Sequence, residues 1–331
     1  MELSVIIVNY NVYNDVINCI SHLKKHVFDI NYEIIVVDNN SAEKEIECIN
    51  NVFPDVKYIS LNQNFGFGKA NNAAMKIANG KMFLLINPDI VVNDKSINKL
   101  YDFLNKSNNA GAAAPVQIKP NDGLEYYYTF FPTIYSRFMQ EFGLYFNGPF
   151  MRDRFFKFWD ENIQTGNPFR VNWAMGSCLM VKREAYKKVG GFNEAFFLFE
   201  EETEWQYRMN KTGWNTFILP DCRVLHNHHS STSKIGKLFV YFHEFRSRII
   251  FANLHNGIIK RSIRFILTFF ALLVRVIVNF LKYLFSGNKY SKKKIKVFLK
   301  LMKFNFLSRN RIINSRYIFR DFQHLFAADD K

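Results

Sequence analysis

The sequence predicts an α/β domain with a mostly parallel central sheet, followed by a basic, amphipathic helical appendage. Short apolar runs alternate with helix-compatible stretches through the first 120 residues, as in strand–helix–strand units. The composition then changes: residues 232–331 carry 21 Lys and Arg against 4 Asp and Glu, whereas residues 1–231 are close to neutral. We therefore expect a globular domain over 1–231 and a separate helical region over 232–331.

Four apolar runs have the length and composition of strands that are buried on both faces. They are LSVIIVN (3–9), YEIIVVD (32–38), VKYIS (56–60) and KMFLLIN (81–87). Helices are expected between them, near 13–26, 42–51 and 67–79. This order predicts parallel pairing, with ligands bound at the carboxyl ends of the strands.

The remainder of residues 1–231 is less regular. Residues 124–170 contain 16 aromatic residues and are interpreted as a partly helical insertion on the acceptor side, although core packing accounts for most of the rings. VNWAMGSCLMVK (171–182) predicts another strand. A helix near 200–211 and two strands near 214–228 are expected to close the domain.

The cysteines and the start of the chain indicate a cellular compartment. Cys19, Cys48, Cys178 and Cys222 are widely spaced, and a Cys-x-x-Cys pair is absent from the sequence. This spacing argues against a disulfide framework and indicates a reduced, cytoplasmic-side protein. MELSVIIVNYN lacks a basic leading region and is interpreted as the first strand of the fold, not as a signal peptide.

Beyond residue 235 the pattern becomes helical, basic and aromatic. At 100° per residue, one face spanning about 80° collects the polar residues of the next helix. This stripe consists of Arg261, Arg264, Thr268, Ala271, Arg275, Asn279, Lys282 and Ser286. A membrane-spanning helix over 263–285 would bury Arg275 in hydrocarbon at a cost of about 2.5–3.5 kcal/mol, so a helix lying in the interface is preferred.

The next segment, 289–307, repeats the pattern. Six of its lysines (Lys289, Lys292, Lys293, Lys296, Lys300 and Lys303) lie opposite Phe298, Met302 and Phe306. Each lysine near an anionic leaflet contributes about 1 kcal/mol of attraction. We expect 232–331 to bind an anionic membrane surface; an ordinary docking helix with a solvated charged face is the alternative. Nucleic acid is disfavoured, since the sequence shows no recognisable nucleic-acid-binding module.

Polar side chains stand where the predicted strands end. Asn9 and Asp38 end two of the apolar runs, and Asp89 follows a third in FLLINPDI. A lone Asp after a strand is usually a turn residue. Because parallel strands place their carboxyl ends at one edge of the sheet, we expect all three side chains to line one ligand site.

Five segments form an ordered set: SVIIVNYN at the start, IIVVDNNS (34–41), NQNFGFGKANN (62–72), LLINPD (84–89) and GSCLMVKREAYKKVGGFNEAFFLFEEETEWQYRMNKTGW (176–214). Together they resemble the family 2 glycosyltransferases of GT-A fold, most closely the bacterial rhamnosyltransferase branch. The resemblance covers about residues 3–250. It implies transfer of a sugar from a nucleoside diphosphate donor, with inversion at the anomeric carbon.

The resemblance implies a divalent cation, Mg²⁺ or Mn²⁺, held by an Asp-x-Asp motif and neutralising the departing diphosphate. In this chain Asn87 replaces the first Asp, so Asp89 is the candidate ligand. One Asp can suffice, because phosphates and water complete the coordination of Mg²⁺. His226 matches a metal-contacting His of many members; His228, His229 and a structural role for His226 stay open.

The resemblance also implies a pocket for the donor nucleotide. Asp38 matches the acid that hydrogen-bonds the base or ribose, and the glycines of NFGFGKANN permit close backbone approach ahead of a helix. The residues expected to line this pocket are Asn9, Asp38, Asn64, Gly66, Asn71 and Asn87.

The acceptor hydroxyl must lose a proton as it attacks, and FFLFEEETEWQYR (196–208) matches the acidic motif that supplies the base. The resemblance assigns the base to Glu202, with Glu201 as the alternative, whereas Glu204 is expected to pair with Arg208. Trp173, Gly176 and Ser177 are expected on the acceptor side, with core packing equally open.

The sequence therefore predicts an inverting glycosyltransferase of bacterial envelope polysaccharide (O-antigen or capsule) assembly, at the cytoplasmic face of the inner membrane. The predicted donor is dTDP-rhamnose, favoured over UDP sugars by branch resemblance alone, and the acceptor a lipid-linked saccharide. The missing first Asp leaves open an inactive sugar-nucleotide-binding module. A nucleotidyltransferase ranks last, because NYNVYND after the first strand is not a Gly-rich, basic loop.

Overall fold

The computed structural model describes residues 1–42, 49, 51–127, 129–142, 149–227, 236–307 and 309–313. The chain divides into two compact units. The first unit comprises 1–131, 154–194 and 201–233. The second unit comprises 132–153, 195–200 and 234–331. It therefore includes two segments that precede residue 232 along the chain.

The first unit is built on one sheet. Its strands are β1 (Leu3–Asn9), β2 (Tyr32–Asp38), β3 (Lys57–Ser60), β4 (Met82–Ile86), β5 (Ile90–Val91), β6 (Ala110–Ile118), β7 (Phe169–Val171), β8 (Cys178–Lys182) and β9 (Asn215–His226). They lie in the order β3-β2-β1-β4-β8-β6-β9-β5, and β7 pairs with β9. The first four in this order are parallel, as predicted. Over the described residues the whole sheet is mixed, because β8, β5 and β7 pair antiparallel with their neighbours.

Helices cover both faces of this sheet. They are α1 (Tyr13–His26), α2 (Phe67–Ile77), α3 (Ser96–Lys106), α6 (Arg183–Val189) and α7 (Glu201–Lys211), together with most of α5 (Pro149–Gln164). Val5 and Ile7 of β1 pack with α1 and α3, whereas Ile6 packs with α2 on the opposite face. Alternate residues of a strand point to opposite faces, so a strand covered on both sides reads as a continuous apolar run. The helix expected near 42–51 falls largely outside the described residues.

Two details of the sheet differ from the sequence prediction. A single strand, β9, replaces the two strands expected near 214–228. Leu219 pairs with Pro115 and Arg223 with Val116, so residues 220–222 form a bulge within β9. Because Pro220 lacks an N–H, the sequence pattern predicts a strand end there, but β9 continues beyond it. The strand expected over 171–182 is split, since residues 172–177 are irregular between β7 and β8.

The second unit is helical. Its helices are α4 (Ile134–Glu141), the start of α5, α8 (Lys237–His255), α9 (Ile258–Ser286), α10 (Lys289–Asn305) and α11 (Arg309–Ile313). Phe242 and Phe245 of α8, Leu272 of α9, and Val297, Phe298 and Leu301 of α10 form its core. This region confirms the helical appendage predicted from the sequence.

The polar stripe of α9 faces the rest of the second unit. Arg264, Thr268 and Ala271 are buried, and Arg275 donates hydrogen bonds to Tyr241 Oη (2.7 Å) and to the carbonyl oxygen of Glu141. The exposed residues of α9 are instead mostly apolar. Within the described part of the chain, α9 is long and apolar enough to cross a membrane, judged by its length and composition alone.

Candidate active site

The carboxyl ends of β1 and β2 hold Asp38 in a fixed orientation. Asn9 Nδ2 donates to Asp38 Oδ1 (3.1 Å), and Ser41 donates to the same carboxylate from its backbone N–H (3.2 Å) and its hydroxyl (2.5 Å). Tyr58, on β3, is influenced by this charge: burial and then Asp38 raise the pKa of its hydroxyl. A Tyr that stays protonated beside a fixed carboxylate offers one donor and one acceptor to a ligand.

Asn39, a residue that the sequence did not single out, ties the end of β2 to the Gly-rich loop. Its Nδ2 donates to Asn64 Oδ1 (2.9 Å) and to the carbonyl of Gly66 (3.3 Å), and its Oδ1 accepts from Phe65 N–H (2.9 Å). Gly66 has a φ of 80°, which favours glycine, and it immediately precedes α2. The N-terminus of α2 is thereby fixed at the edge of the sheet where Asp38 lies. The only sequence signal was the first Asn of DNNS.

Asn71 is buried in α2, and its Nδ2 donates to the carbonyl of Phe67 (2.9 Å), one turn earlier. Its amide nitrogen is therefore used inside the helix. The adjacent Asn72 joins α2 to Phe192 through two hydrogen bonds of 2.9 and 2.8 Å, so its role is structural.

Asp89 lies just beyond β4 and is buried, with 4% of its surface exposed. Neither of its carboxylate oxygens accepts a hydrogen bond from a described residue, although Oδ1 lies 3.5 Å from His226 Nε2. Asn87 contributes backbone bonds: its N–H donates to the carbonyl of Ser177 (2.7 Å) and its carbonyl accepts from Ile90 N–H (3.1 Å). A buried carboxylate without a donor is costly unless something else binds it.

His226 lies between two carboxylates. Its Nδ1 is 2.7 Å from Glu125 Oε2, on the side opposite Asp89. Burial alone would lower the pKa of His226, but the nearby carboxylates of Asp89 and Glu125 outweigh it and raise the pKa to about 9. The sequence did not identify Glu125, which is 101 residues away along the chain. Its hydrogen bond also fixes which imidazole nitrogen faces Asp89.

The residues around Asp89 fit the divalent cation that the family resemblance implies. Asp89 offers two buried oxygens that accept no hydrogen bond from the part of the chain that the structure describes, and His226 Nε2 lies beside one of them. Hard cations such as Mg²⁺ accept few protein ligands when phosphates and water supply the rest. Within the described ranges, no group of three or more His, Cys, Asp and Glu side chains is arranged to hold a metal. The protein would therefore contribute only part of the coordination shell.

The first turn of α7 packs beside the first turn of α2. A Cβ placed on Gly176 would lie 3.0 Å from Phe67 Cε1 and 3.7 Å from Glu202 Cβ, so these three residues are adjacent. Glu202 is half-buried, whereas Glu201 is only 3% exposed. The predicted Glu204–Arg208 pair is confirmed, with an Nε–Oε1 distance of 3.0 Å.

Two of the residues expected on the acceptor side, Ser177 and Trp173, have defined hydrogen-bond partners. Gln117 Nε2 donates to Ser177 Oγ (2.6 Å), and the carbonyl of Gln117 accepts from Glu125 N–H (2.9 Å). Trp173 Nε1 donates to the carbonyl of Phe130 (3.1 Å), and its ring centroid is 5.9 Å from that of Tyr127. Burial, followed by charges that include Glu125 and Glu202, raises the pKa of Tyr127. Tyr127 is therefore within electrostatic reach of both acids.

The predicted site residues thus form three linked groups. The first group is joined through Asn39 and consists of Asn9, Asp38, Asn64 and Gly66. The second group is joined through Gln117 and Glu125 and consists of Asn87, Ser177, Asp89 and His226. In the third group, Glu202 lies against Gly176. Neighbouring strands are about 4.8 Å apart, so the ends of β2 and β4, on either side of β1, are separated by roughly 10 Å. Asn71 and Glu201 are buried beside these groups, while His228 and His229 lie outside the described residues.

Residues 4–190 match the family model for glycosyl transferase family 2. The chain is similar to an N-acetylglucosaminyl-diphospho-decaprenol L-rhamnosyltransferase from Mycobacterium tuberculosis, with 27% identity covering 71% of this chain and 79% of the relative. A low-salt glycan biosynthesis hexosyltransferase from Haloferax volcanii is 26% identical, covering 79% of this chain and 78% of the relative.

A solved mannosyltransferase from Pyrobaculum calidifontis, in complex with GDP-Man and Mn²⁺, aligns with a TM-score of 0.52 at 13% identity, covering 92% of this chain and 86% of the other. This similarity confirms the predicted fold. Since the family model matches more than half of the chain, the protein belongs to glycosyl transferase family 2, in its rhamnosyltransferase-like branch, and is a glycosyltransferase.

Proposed function

We propose that this enzyme transfers rhamnose from dTDP-rhamnose, with inversion, to a lipid-linked saccharide during bacterial envelope polysaccharide assembly, at the cytoplasmic face of the membrane. The donor sugar and the lipid-linked acceptor are carried over from the name of the mycobacterial relative. The observation that carries the proposal is the buried Asp89 carboxylate just beyond β4, which accepts no hydrogen bond from the described residues. A UDP sugar is the alternative donor.

The nucleotide would bind at the ends of β1 and β2. Asp38, fixed by Asn9 and Ser41, would accept a hydrogen bond from the base or ribose. Gly66 has no side chain to cap α2, and the described residues supply no side-chain cap in its place, so the N–H groups of the first turn would be available to an anionic phosphate.

The diphosphate would lie toward Asp89. A bound divalent cation there would neutralise the negative charge of the leaving group. Asp89 would supply carboxylate oxygens to that cation, and Glu125 would hold His226 with Nε2 directed at the same place. Asn87, where the family has its first Asp, would offer an uncharged amide to the donor.

Glu202 is the proposed base, because it is partly exposed and Glu201 is buried. The acceptor hydroxyl would give its proton to the Glu202 carboxylate as its oxygen bonds to the anomeric carbon. The bond from that carbon to the diphosphate breaks on the opposite side, and dTDP leaves with the electron pair. Trp173, Gly176 and Ser177 would shape the acceptor side of the cleft.

The second unit is proposed to rest on the cytoplasmic leaflet. The exposed residues of α9 include Phe270 at 53% and Phe285 at 88%, and the lysines of α10 include the exposed Lys292 and Lys296. Exposed apolar area combined with basic charge favours binding to anionic lipid. This arrangement suits an acceptor that is itself embedded in the membrane.

The full chain in detergent, incubated with dTDP-rhamnose, Mn²⁺ and a polyprenyl diphosphate-linked N-acetylglucosamine, tests the proposal. We expect rhamnosyl transfer, detected by mass spectrometry, with inversion of the anomeric configuration detected by NMR. Transfer from UDP sugars alone would overturn the donor assignment, and retention of configuration would overturn the mechanism.

An inactive binding module is the second candidate, because Asn87 removes one carboxylate from the family motif. It predicts saturable binding of dTDP or UDP without turnover of any nucleotide sugar. Calorimetric titration of both nucleotides, followed by the transfer assay on the same sample, separates the two candidates.

A further inference from the structure

A cavity of about 370 Å³ lies within the second unit, between α4 and the segment before it, the end of α8 and the start of α9. Its volume falls in the range of roughly 300–1,000 Å³ that is usual for small-molecule sites. The basic residues of its wall are Arg137, Lys260 and Arg264, and the acidic one is Glu141. The charge balance of the wall therefore favours an anion.

Arg264 is the most informative of these residues. It is 7% exposed, and its Nη1 donates to Asn305 Oδ1 (2.5 Å), while its Nε donates to no described residue. Burial lowers the pKa of Arg264 to about 10, so the guanidinium remains charged at neutral pH. A buried cation with an unused N–H at a cavity wall is costly unless an acceptor enters the cavity.

Glu141 does not remove this positive character. It is buried, and its Oε2 accepts no hydrogen bond from a described residue. Burial raises the pKa of Glu141, against the charges of Arg248, Arg275, Arg137 and Arg264. Arg137 is already engaged with Glu200 Oε2 (2.5 Å) and Gln140 Oε1 (2.9 Å). Lys260, which is exposed, and Arg264 are thus the cations with the greatest freedom to meet a ligand.

Exposed apolar residues stand next to the cationic wall. Ile259 is 76% exposed and precedes Lys260, and Ile263 is 39% exposed and precedes Arg264. Consecutive residues of a helix are about 100° apart, so the apolar face begins one side chain away from the cavity. A water-soluble anion would contact only the cationic wall of the cavity. A phosphate attached to a hydrocarbon chain would contact both this wall and the exposed apolar face of α9.

We propose that this cavity binds the phosphate group of a lipid, with Arg264 and Lys260 on the phosphate oxygens and the hydrocarbon chain along Ile259 and Ile263. Arginine suits this role because its fork of donors matches two phosphate oxygens. The site goes beyond the proposed transfer reaction, although it rests on the proposed contact between α9 and the membrane.

Titration calorimetry of the full chain with farnesyl phosphate tests the site, with inorganic phosphate and farnesol as matched ligands. We expect one farnesyl phosphate per chain, bound at least about tenfold more tightly than either control, which is about 1.4 kcal/mol. Equal affinity for inorganic phosphate would identify a free-anion site and overturn the lipid assignment. Equal affinity for farnesol would overturn the role of the phosphate.

Variants connect this binding to the cavity. Arg264→Gln should weaken farnesyl phosphate binding at least about tenfold. Lys260→Gln, at an exposed position, gives the same test if Arg264→Gln does not fold. Lys282→Gln makes the same charge change on an exposed part of α9 and should leave the affinity unchanged. The proposal would be overturned if both single variants, Lys260→Gln and Arg264→Gln, bound farnesyl phosphate with wild-type affinity. It would also be overturned if Lys282→Gln lost as much affinity as those two variants.

A dTDP titration on the same samples keeps this proposal separate from the proposed function. Loss of farnesyl phosphate binding with intact dTDP binding is the expected behaviour of the cavity variants. If the wild-type chain binds farnesyl phosphate as expected and does not bind dTDP, the lipid site is supported and the transfer proposal fails.

Discussion

Replacing Asp89 by Asn should remove most of the transfer activity and leave the fold intact. The substitution keeps the size of the side chain and removes the charge that would hold a divalent cation. A metal-bound leaving group contributes several kcal/mol of transition-state stabilisation, and about 3 kcal/mol corresponds to a loss of roughly a hundredfold in rate.

The cost to folding should be small by comparison. Asp89 accepts no hydrogen bond from a described residue, and its contact with His226 is long, at 3.5 Å. His226 keeps its shorter contact of 2.7 Å with Glu125. We therefore expect the free energy of unfolding at pH 9, where the charge on His226 contributes little, to change by no more than about 1 kcal/mol, and Tm by a few degrees at most.

The pKa of His226 provides an independent readout. In the metal-free protein it should fall from about 9 when Asp89 loses its charge, which NMR titration of the imidazole can measure. A pKa raised above the unfolded value of about 6.5 stabilises the fold below that pH, and this contribution is lost as the pH rises toward 9. The unfolding free energy of the wild type should therefore fall more steeply over pH 6.5–9 than that of Asp89→Asn.

Glu125→Gln is the matched control. It should also lower the pKa of His226, but it retains the Asp89 carboxylate, so transfer should fall by about tenfold, as for a residue that orients a ligand. Steady-state transfer assays at saturating donor compare the variants. If Asp89→Asn keeps more than a third of wild-type activity, or loses no more than Glu125→Gln, the assignment of Asp89 is wrong.

Glu202→Gln should reduce kcat by about 10²–10⁴ with unchanged dTDP binding, and a fall in binding alone would contradict its role as base. Asp38→Asn should weaken dTDP by about tenfold in calorimetry, since a hydrogen bond to a charged group contributes about 1.5–3 kcal/mol. Although burial would raise it, the pKa of Glu33 is lowered to about 2 by Lys57, Ser4 and Asn79. The contribution of Glu33 to the free energy of unfolding should therefore be fully present above about pH 4.5 and be lost as the pH falls toward 2. In urea unfolding, the Glu33→Gln variant should not show this pH-dependent loss. Phe270→Ser with Ile277→Ser, on the exposed face of α9, should reduce co-sedimentation with anionic vesicles; wild-type co-sedimentation would contradict the membrane proposal.

The sequence predicted the first half of the sheet well because the physical signal there is local. Strands covered on both faces are continuous apolar runs, and β1 and β2 begin and end at the predicted residues. Asp38 and Asp89 could be chosen as candidates because Asp38 ends such a run and Asp89 lies shortly after another. Gly66 was recognisable from its position ahead of α2.

The residues that the sequence missed act through contacts between distant parts of the chain. Glu125 reaches His226 across 101 residues, and Gln117 reaches Ser177 across 60. A single Gln within a strand, or a single Glu in the loop after it, has no periodicity that would indicate such a contact. Asn39 was adjacent to a chosen residue, yet its role depends on the shape of the loop at Gly66.

The orientation of α9 is a second example. Its periodicity predicted the polar stripe correctly, but the stripe is satisfied by Tyr241, the carbonyl of Glu141 and Asn305. These partners lie 34, 134 and 41 residues away from the arginines that they bind. A helical pattern defines two faces, and only tertiary partners decide which one is buried.

Crystals grown with dTDP and MnCl₂, measured at the manganese absorption edge, test the central claim most directly. The account predicts an anomalous peak within coordination distance of the Asp89 carboxylate, bridging to the diphosphate, with the thymidine beside Asp38. A manganese peak away from Asp89, or a nucleotide bound away from the ends of β1 and β2, would contradict it.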